Sequence, residues 1–280
     1  MPRFDTPEPI KVRLDTASGH VRIRTSERAD TVVEVTPSDP SRKGDVQAAE
    51  ETRVDFTSGE LLVRTPKRVV RSMFGRTPSI DVRVEAPSGS RLDVEGWGDY
   101  RCEGPIGDSE FHVGAGTIRI EQATRLKLRT GAGDVAVERA DGDVEMTTAA
   151  GRIKLGAVSG AATLKSSSGD ITVGEVAGEL RMRTAMGDVT VDSAMAGVQA
   201  KTAYGNVRVG EVVRGSVTLD TAFGTVEIGV REGTAAWLDV SSSQGSVRTD
   251  LEGAPAPDAA EETVEVRART GFGDIIVRRA

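Results

Sequence analysis

Apolar and polar residues alternate in short runs along this chain, and each run is anchored to a glycine. Two and four residues after the glycines at 133, 151, 169, 187, 205 and 224 stand Val135 and Val137, Ile153 and Leu155, Ile171 and Val173, Val189 and Val191, Val207 and Val209, Val226 and Ile228. The residues between them are mostly polar: Ala136, Lys154, Thr172, Thr190, Arg208 and Glu227. Period-two alternation of this kind predicts a strand with one buried face. A second strand precedes each glycine. Seven, five and three residues before it come Leu126, Leu128, Thr130; Val144, Met146, Thr148; Leu180, Met182, Thr184; Val198, Ala200, Thr202; and Val217, Leu219, Thr221. A small or branched residue marks a corner at Ala140, Val158, Val176, Ala194 and Val212.

The glycine itself returns about every 18 residues, from Gly98 through Gly116, Gly133, Gly151, Gly169, Gly187, Gly205 and Gly224 to Gly245 and Gly273. Each unit therefore reads strand, glycine turn, strand, corner. Because like residues recur at like offsets, units stack like over like, with Val189 between Ile171 and Val207. A lone unit buries too little apolar surface to offset the entropy of ordering its backbone, so neighbours must supply the rest. The expectation is an all-β parallel β-solenoid with ~18-residue rungs, ten rungs making a rod roughly 45–50 Å long. An antiparallel β-sandwich is the alternative that periodicity alone leaves open.

The first third carries the same code in degraded form. Val12, Leu14 and Thr16 precede Gly19, and Val21 and Ile23 follow it; Val54 and Phe56 precede Gly59, and Leu61 and Val63 follow; Val82, Val84 and Ala86 precede Gly89. Polar stretches at 37–51 and 65–79 read as loops. Between Gly89 and Gly98 the alternation slips by one residue, which puts a seam there. The expected organisation is one continuous domain, with irregular N-terminal rungs and cap over 1–96 and a regular solenoid over 97–280. The irregular start and a Pro/acid-rich insert at 251–262 are candidates to blunt the open ends.

Composition narrows the function classes. The net charge is -7, so nucleic acid and anionic membrane are not expected partners. One cysteine, Cys102, allows no internal disulfide. The start, Met-Pro-Arg-Phe-Asp-Thr-Pro-Glu, has no apolar leader core, and no apolar run is long enough for a membrane helix, so the expected location is cytoplasmic. No P-loop, dinucleotide fingerprint or nucleophile elbow is present. His20, His112 and Cys102 show neither metal-ligand spacing nor a nucleophile–base pair, so no cofactor is expected.

The opening Pro-Ile-Lys-Val-Arg-Leu…Ser-Gly-His-Val-Arg-Ile (9–23) and the repeats Ser-Ser-Ser-Gly-Asp-Ile-Thr-Val (166–173), Thr-Ala-Met-Gly-Asp-Val-Thr-Val (184–191) and Thr-Ala-Tyr-Gly-Asn-Val-Arg-Val (202–209) resemble a bacterial family of putative adhesins built from β-strand repeats, a domain of unknown function. The resemblance covers nearly the whole chain. It implies a β-helix-like fold and carries over no catalytic residue.

Three constellations are candidates for chemistry. The residue after the turn glycine is often acidic (Asp134, Asp170, Asp188, Asp274). Stacked aspartates can bind calcium or, paired, cleave glycosides; the bland expectation is hydrogen bonding to their own turn backbone. The outward positions of the strand before the glycine are rich in cations: Lys127, Arg129, Lys165, Arg181, Arg183 and Lys201. Stacked, these form a positive face for an acidic protein or anionic polymer, or a plain solvated sheet surface. A second basic cluster is Lys67, Arg68, Arg71 and Arg76. Finally, the residue before the glycine enlarges along the chain, from Ala132 to Met186, Tyr204, Phe223 and Phe272, which predicts a buried corner ladder. The function expected from all this is a non-enzymatic interaction or scaffold module. End-to-end self-polymerisation and a carbohydrate-active β-helix enzyme are the alternatives.

Overall fold

The computed structural model describes residues 1–16, 18–66, 77–251 and 262–280. The basic cluster of Lys67, Arg68, Arg71 and Arg76 and most of the insert at 251–262 lie outside them. The chain forms two compact units, Met1–Asp141 and Gly142–Ala280. Each is a parallel β-solenoid of two facing sheets.

In the second unit one sheet runs through Val144–Ala150, Ala162–Ser168, Leu180–Arg183, Val198–Lys201, Gly215–Phe223, Thr263–Phe272 and Ala235–Gln244. The other runs through Ile153–Val158, Ile171–Val176, Val189–Ala194, Val207–Val212, Val226–Val230, Ile275–Arg279 and Val247–Thr249. The pairing is parallel and in register: Val189 lies between Ile171 and Val207. One core column stacks Met146, Leu164, Met182, Ala200, Leu219 and Ala268. The facing column, Ile153, Ile171, Val189, Val207, Val226 and Ile275, is β-branched throughout, the type that packs best on a pleated surface. All of these side chains are buried.

The turns are built by two columns of small polar chemistry. At the glycine, φ lies between +134 and +152 from Gly151 to Gly224, a region side chains rarely enter. A Cβ on Gly205 would sit 2.1 Å from the Gly187 carbonyl oxygen, and one on Gly187 would sit 2.4 Å from that of Gly169. Glycine is thus required twice, by conformation and by the closeness of the next rung. Three residues earlier a buried hydroxyl recurs. Thr184, Thr202, Thr221 and Thr270 donate to the carbonyls of Gly169, Gly187, Gly205 and Gly224 at 3.2, 3.1, 2.9 and 2.9 Å. The threonines therefore satisfy turn carbonyls that no strand reaches. Ser166, at the same offset, is buried with its hydroxyl unpaired.

The rungs do not stack in chain order. The last pair of strands, Thr263–Phe272 and Ile275–Arg279, is inserted between the rung of Gly224 and the rung of Gly245. The sequence predicted simple succession. Every rung carries the same code, so the code cannot fix their order. The consequence is mechanical: the C-terminal strands are held on both edges, where a last-in-line rung would be held on one.

The first unit does the same with its N-terminus. Lys11–Thr16 lies between Glu60–Arg64 and Arg91–Gly96, and Gly19–Ser26 lies between Ile80–Pro87 and Asp99–Ile106. Two early glycines also differ from the expectation. Gly59 closes a tight antiparallel hairpin between Arg53–Thr57 and Glu60–Arg64, with Ser58 and Gly59 at φ 50 and 78. Gly89 joins one sheet to the other at the corner side. The slip before Gly98 is a shortened turn. Gly96 pairs with Thr16, yet Gly98 still stacks on Gly19, so one residue is missing between them. Tyr100 occupies the space, its hydroxyl 3.0 Å from Thr16 Oγ1; a Cβ on Gly96 would collide with both.

The stretch 37–51, read as a loop, contains the helix Lys43–Glu51. Its Asp45 is fully buried and accepts hydrogen bonds from the Ser79 N–H at 3.1 Å and from Arg42 at 3.2 Å. Those bonds pin a helix whose sequence has no capping signal. Outer strands Arg3–Asp5 and Asp30–Pro37 are antiparallel to their neighbours.

Candidate functional site

Because strands alternate, every rung presents a second set of side chains to solvent, and register lines these up in columns as strictly as it does the core. In the second unit one outward column reads Thr147, Lys165, Arg183, Lys201, Asp220, Arg269. Beside it runs Glu145, Thr163, Arg181, Gln199, Thr218, Arg267. Arg267 and Arg269 are neutralised by Glu265 at 2.6 Å and Asp239 at 3.7 Å. Lys165, Arg181, Arg183 and Lys201 have no ion-pair partner among the described residues, and all four are exposed. Three successive rungs thus carry four unneutralised cations, bounded by Asp220. Like charges ~5 Å apart in water repel by about 0.8 kcal/mol before screening, a modest cost for the solenoid to carry.

The two remaining members of the predicted face, Lys127 and Arg129, lie on Leu126–Ala132 of the first unit. Lys127 Nζ is 2.7 Å from the Glu110 carboxylate, whose pKa this hydrogen bond lowers. Its charge is locally spent. The offset code could have found this pair, because Glu110 stands one rung earlier at the same offset, six residues before Gly116.

The column after the turn glycine is structural, in a way that differs from the expected one. The side chains of Asp170, Asp188 and Asn206 each accept the backbone N–H of the next rung and not of their own turn. Asp170 takes the Asp188 N–H at 2.9 Å, Asp188 takes that of Asn206 at 2.7 Å, and Asn206 takes that of Thr225 at 2.9 Å. Asp274 accepts both the N–H and the hydroxyl of Ser246, and these bonds hold its carboxyl below the usual carboxylate range. Carboxylates committed to backbone donors are poorly placed for calcium or acid–base work. Among the described residues no three His, Cys, Asp or Glu side chains gather as metal ligands. His20 lies 3.3 Å from Asp81 and 3.6 Å from Asp99, and His112 lies 3.7 Å from Glu110, all on exposed faces. Cys102 is fully buried, and burial pushes its thiol up to about 12.

The enlarging residue before the glycine is not buried. Met186, Tyr204, Phe223 and Phe272 are between 43% and 58% exposed. They sit beyond the threonine column, past the last layer that the facing sheet covers. Exposed rings stack on one another instead: Tyr204 on Phe223 and Phe223 on Phe272, each pair 4.9 Å between centroids and within 2° of parallel. Such pairs contribute about 0.5–1.5 kcal/mol each.

A second cationic column belongs to the first unit. Arg83, Arg22, Arg101 and Arg119 stand on four adjacent strands. Arg83 pairs with Glu34 at 3.5 Å and Arg101 with Glu103 at 2.7 Å. A depression of about 730 Å³ lies beside them, lined by Arg24, Arg101 and Arg119 and by Glu103, Glu121 and Glu138. Its floor is shaped by a bulge at Gly104, whose N–H donates to Glu121 at 2.8 Å. With both signs present, this face is close to neutral.

A family model described as Toastrack DUF4097 matches residues 10–278. No curated protein matches the chain. Among solved structures, a putative adhesin from Bacteroides fragilis NCTC 9343 is 13% identical, with 99% of this chain and 95% of that chain covered at a TM-score of 0.42. A putative cell adhesion protein from Clostridium sporogenes ATCC 15579 is 12% identical, with 100% and 98% covered at 0.26. A putative lipid binding protein from Parabacteroides distasonis ATCC 8503 is 10% identical, with 100% and 96% covered at 0.37. At such TM-scores the likeness transfers no function.

Proposed function

We propose that this chain, which belongs to the Toastrack DUF4097 family, works as a non-enzymatic interaction module that binds an acidic protein or anionic polymer on the outer sheet face of its second unit. The observation that carries this reading is the patch of Lys165, Arg181, Arg183 and Lys201. These are four exposed cations without ion-pair partners among the described residues, in columns whose other arginines are neutralised. A rigid sheet presents them at a fixed repeat, so a linear anionic partner meets several at once without ordering the protein. No interleaved aromatic lies in the two cationic columns, which counts against base stacking and hence against nucleic acid. The aspartate column is occupied by backbone donors, which counts against glycoside cleavage.

The test uses the whole chain with poly-glutamate and dextran sulfate as probes. Binding is expected at low salt and weakens steeply as salt rises. Reversing Arg181, Arg183 and Lys201 to glutamate is expected to lower affinity at least tenfold, about 1.4 kcal/mol or more, with the circular dichroism spectrum unchanged. Equal affinity before and after reversal would remove this face from consideration.

A further inference from the structure

The core columns of the second unit end abruptly at the strand Ala235–Gln244. Among the described residues it pairs on one side only, with Thr263–Phe272. Its partner in the facing sheet, Val247–Thr249, likewise pairs only with Ile275–Arg279. One rung deeper Val264, Val266, Ile275 and Val277 are buried. Their neighbours at the edge, Ala236, Leu238 and Val240, are half-buried, and Val247 is exposed. Trp237 on the same strand is 59% exposed. Edge strands are normally guarded by lysines, prolines, bulges or shortness. This one is ten residues long, has neither lysine nor proline, and carries a single charge, Asp239.

We propose that Ala235–Gln244 pairs antiparallel with the same strand of a second copy, about a two-fold axis, giving a closed dimer. Three features commit the edge to that occupant. The first is self-complementarity. With the axis at Leu238, Leu238 faces its own copy and Ala236 faces Val240, so the apolar column of one copy continues into the other. Trp237 then faces Asp239, and the two Asp239 carboxylates are kept from opposing each other. The second is charge: a strand with one carboxylate can meet itself with little repulsion, whereas cationic and anionic partners each gain little from it. The third is closure. Head-to-tail growth would need a second edge of like composition. The outer strands of the first unit, Arg53–Thr57 and Arg3–Asp5, are short, antiparallel to their neighbours and charged. A two-fold contact uses one edge twice and stops at two copies. The interface is a single rung wide, below the ~1,200–2,000 Å² of most stable complexes, so dimerisation depends on concentration.

Sedimentation equilibrium of the full chain over a wide concentration range tests this. The mass is expected to rise from 29.5 kDa to twice that value and no further. Leu238→Lys places two ammonium groups opposite each other at the axis and is expected to weaken association at least tenfold; Leu238→Glu does the same. Mixing the two variants is expected to restore a dimer, because lysine then faces glutamate. In the unaltered protein, amide exchange across 235–244 is expected to slow as concentration rises, a readout independent of how the variants fold. A 29.5 kDa species at every concentration with concentration-independent exchange overturns the proposal. So do masses that keep growing past two copies, or a dimer indifferent to Leu238→Lys.

Discussion

Gly205→Ala is expected to destabilise the second unit by more than ~4 kcal/mol, at the extreme of single substitutions. Two costs add. At φ +152 an L-residue is strained by roughly 1–2 kcal/mol. The new methyl also lies 2.1 Å from the Gly187 carbonyl oxygen and 2.6 Å from its carbonyl carbon, both backbone atoms that cannot swing aside. Relief requires the Gly187 and Gly205 rungs to part, which breaks the hydrogen bonds from the Gly187 N–H to the Tyr204 carbonyl and from the Val189 N–H to the Asn206 carbonyl that hold this corner. The control is Gly233→Ala. Gly233 also has a positive φ, +78, but nothing lies within 4 Å of its virtual Cβ. It is expected to cost only the local strain, ~1–2 kcal/mol. Urea unfolding of both variants followed by circular dichroism distinguishes them; equal midpoints would mean that close rung stacking is not what these glycines serve.

Truncation after Gly273 is expected to abolish cooperative folding of the second unit. In an ordinary solenoid, removing the last strand strips one terminal interface and leaves the others intact. Here Ile275–Arg279 lies between Val226–Val230 and Val247–Thr249. Its loss leaves Val226, Ile228 and Val230 uncovered and detaches Val247–Thr249 from its only strand partner among the described residues. Ile275 and Val277, both fully buried, go with it. The expected readout is loss of amide protection as far back as Val207–Val212 and a strong tendency to aggregate through newly bared edges. A shift of a few degrees in melting temperature, with protection kept up to Val226–Val230, would instead match a rung that simply closes the series.

Much of this architecture was legible in the residues. The offsets of Val189, Ile171 and Val207 from their glycines were enough to place them in one column, because a column is nothing more than a repeated offset. The outward cations were legible for the same reason. What escaped was whatever the offset does not encode. Rung order is one case: Val217 and Val266 read alike, so nothing local says that the strand of Val266 lies beside that of Val217 and not beyond Leu238. The arginine column is another. Arg22, Arg101 and Arg119 share an offset of three from Gly19, Gly98 and Gly116, but their rungs adjoin only once Gly19 is known to stack on Gly98. The exposed aromatics escaped because ring size speaks for burial, whereas exposure at Tyr204 and Phe223 is set by where the facing sheet ends. Gly59 was mistaken because a Ser-Gly pair suits both a hairpin and a rung turn; the difference lies in whether the next strand reverses.

The stacking order of the last coils is the claim from which the truncation result and the dimer edge both descend, and paired cysteines test it most directly. In a Cys102→Ser background, Thr218→Cys with Arg267→Cys joins positions that are neighbours in register. Adjacent strands lie ~4.8 Å apart, within the Cα separation a disulfide spans. Thr218→Cys with Asp239→Cys joins positions two rungs apart, since Arg267 intervenes, a gap of ~10 Å that a disulfide cannot bridge. Mild oxidation of the folded protein is expected to close the first pair quantitatively and leave the second reduced. Closure of the second pair with the first left open would show the coils stacked in chain order and contradict the account.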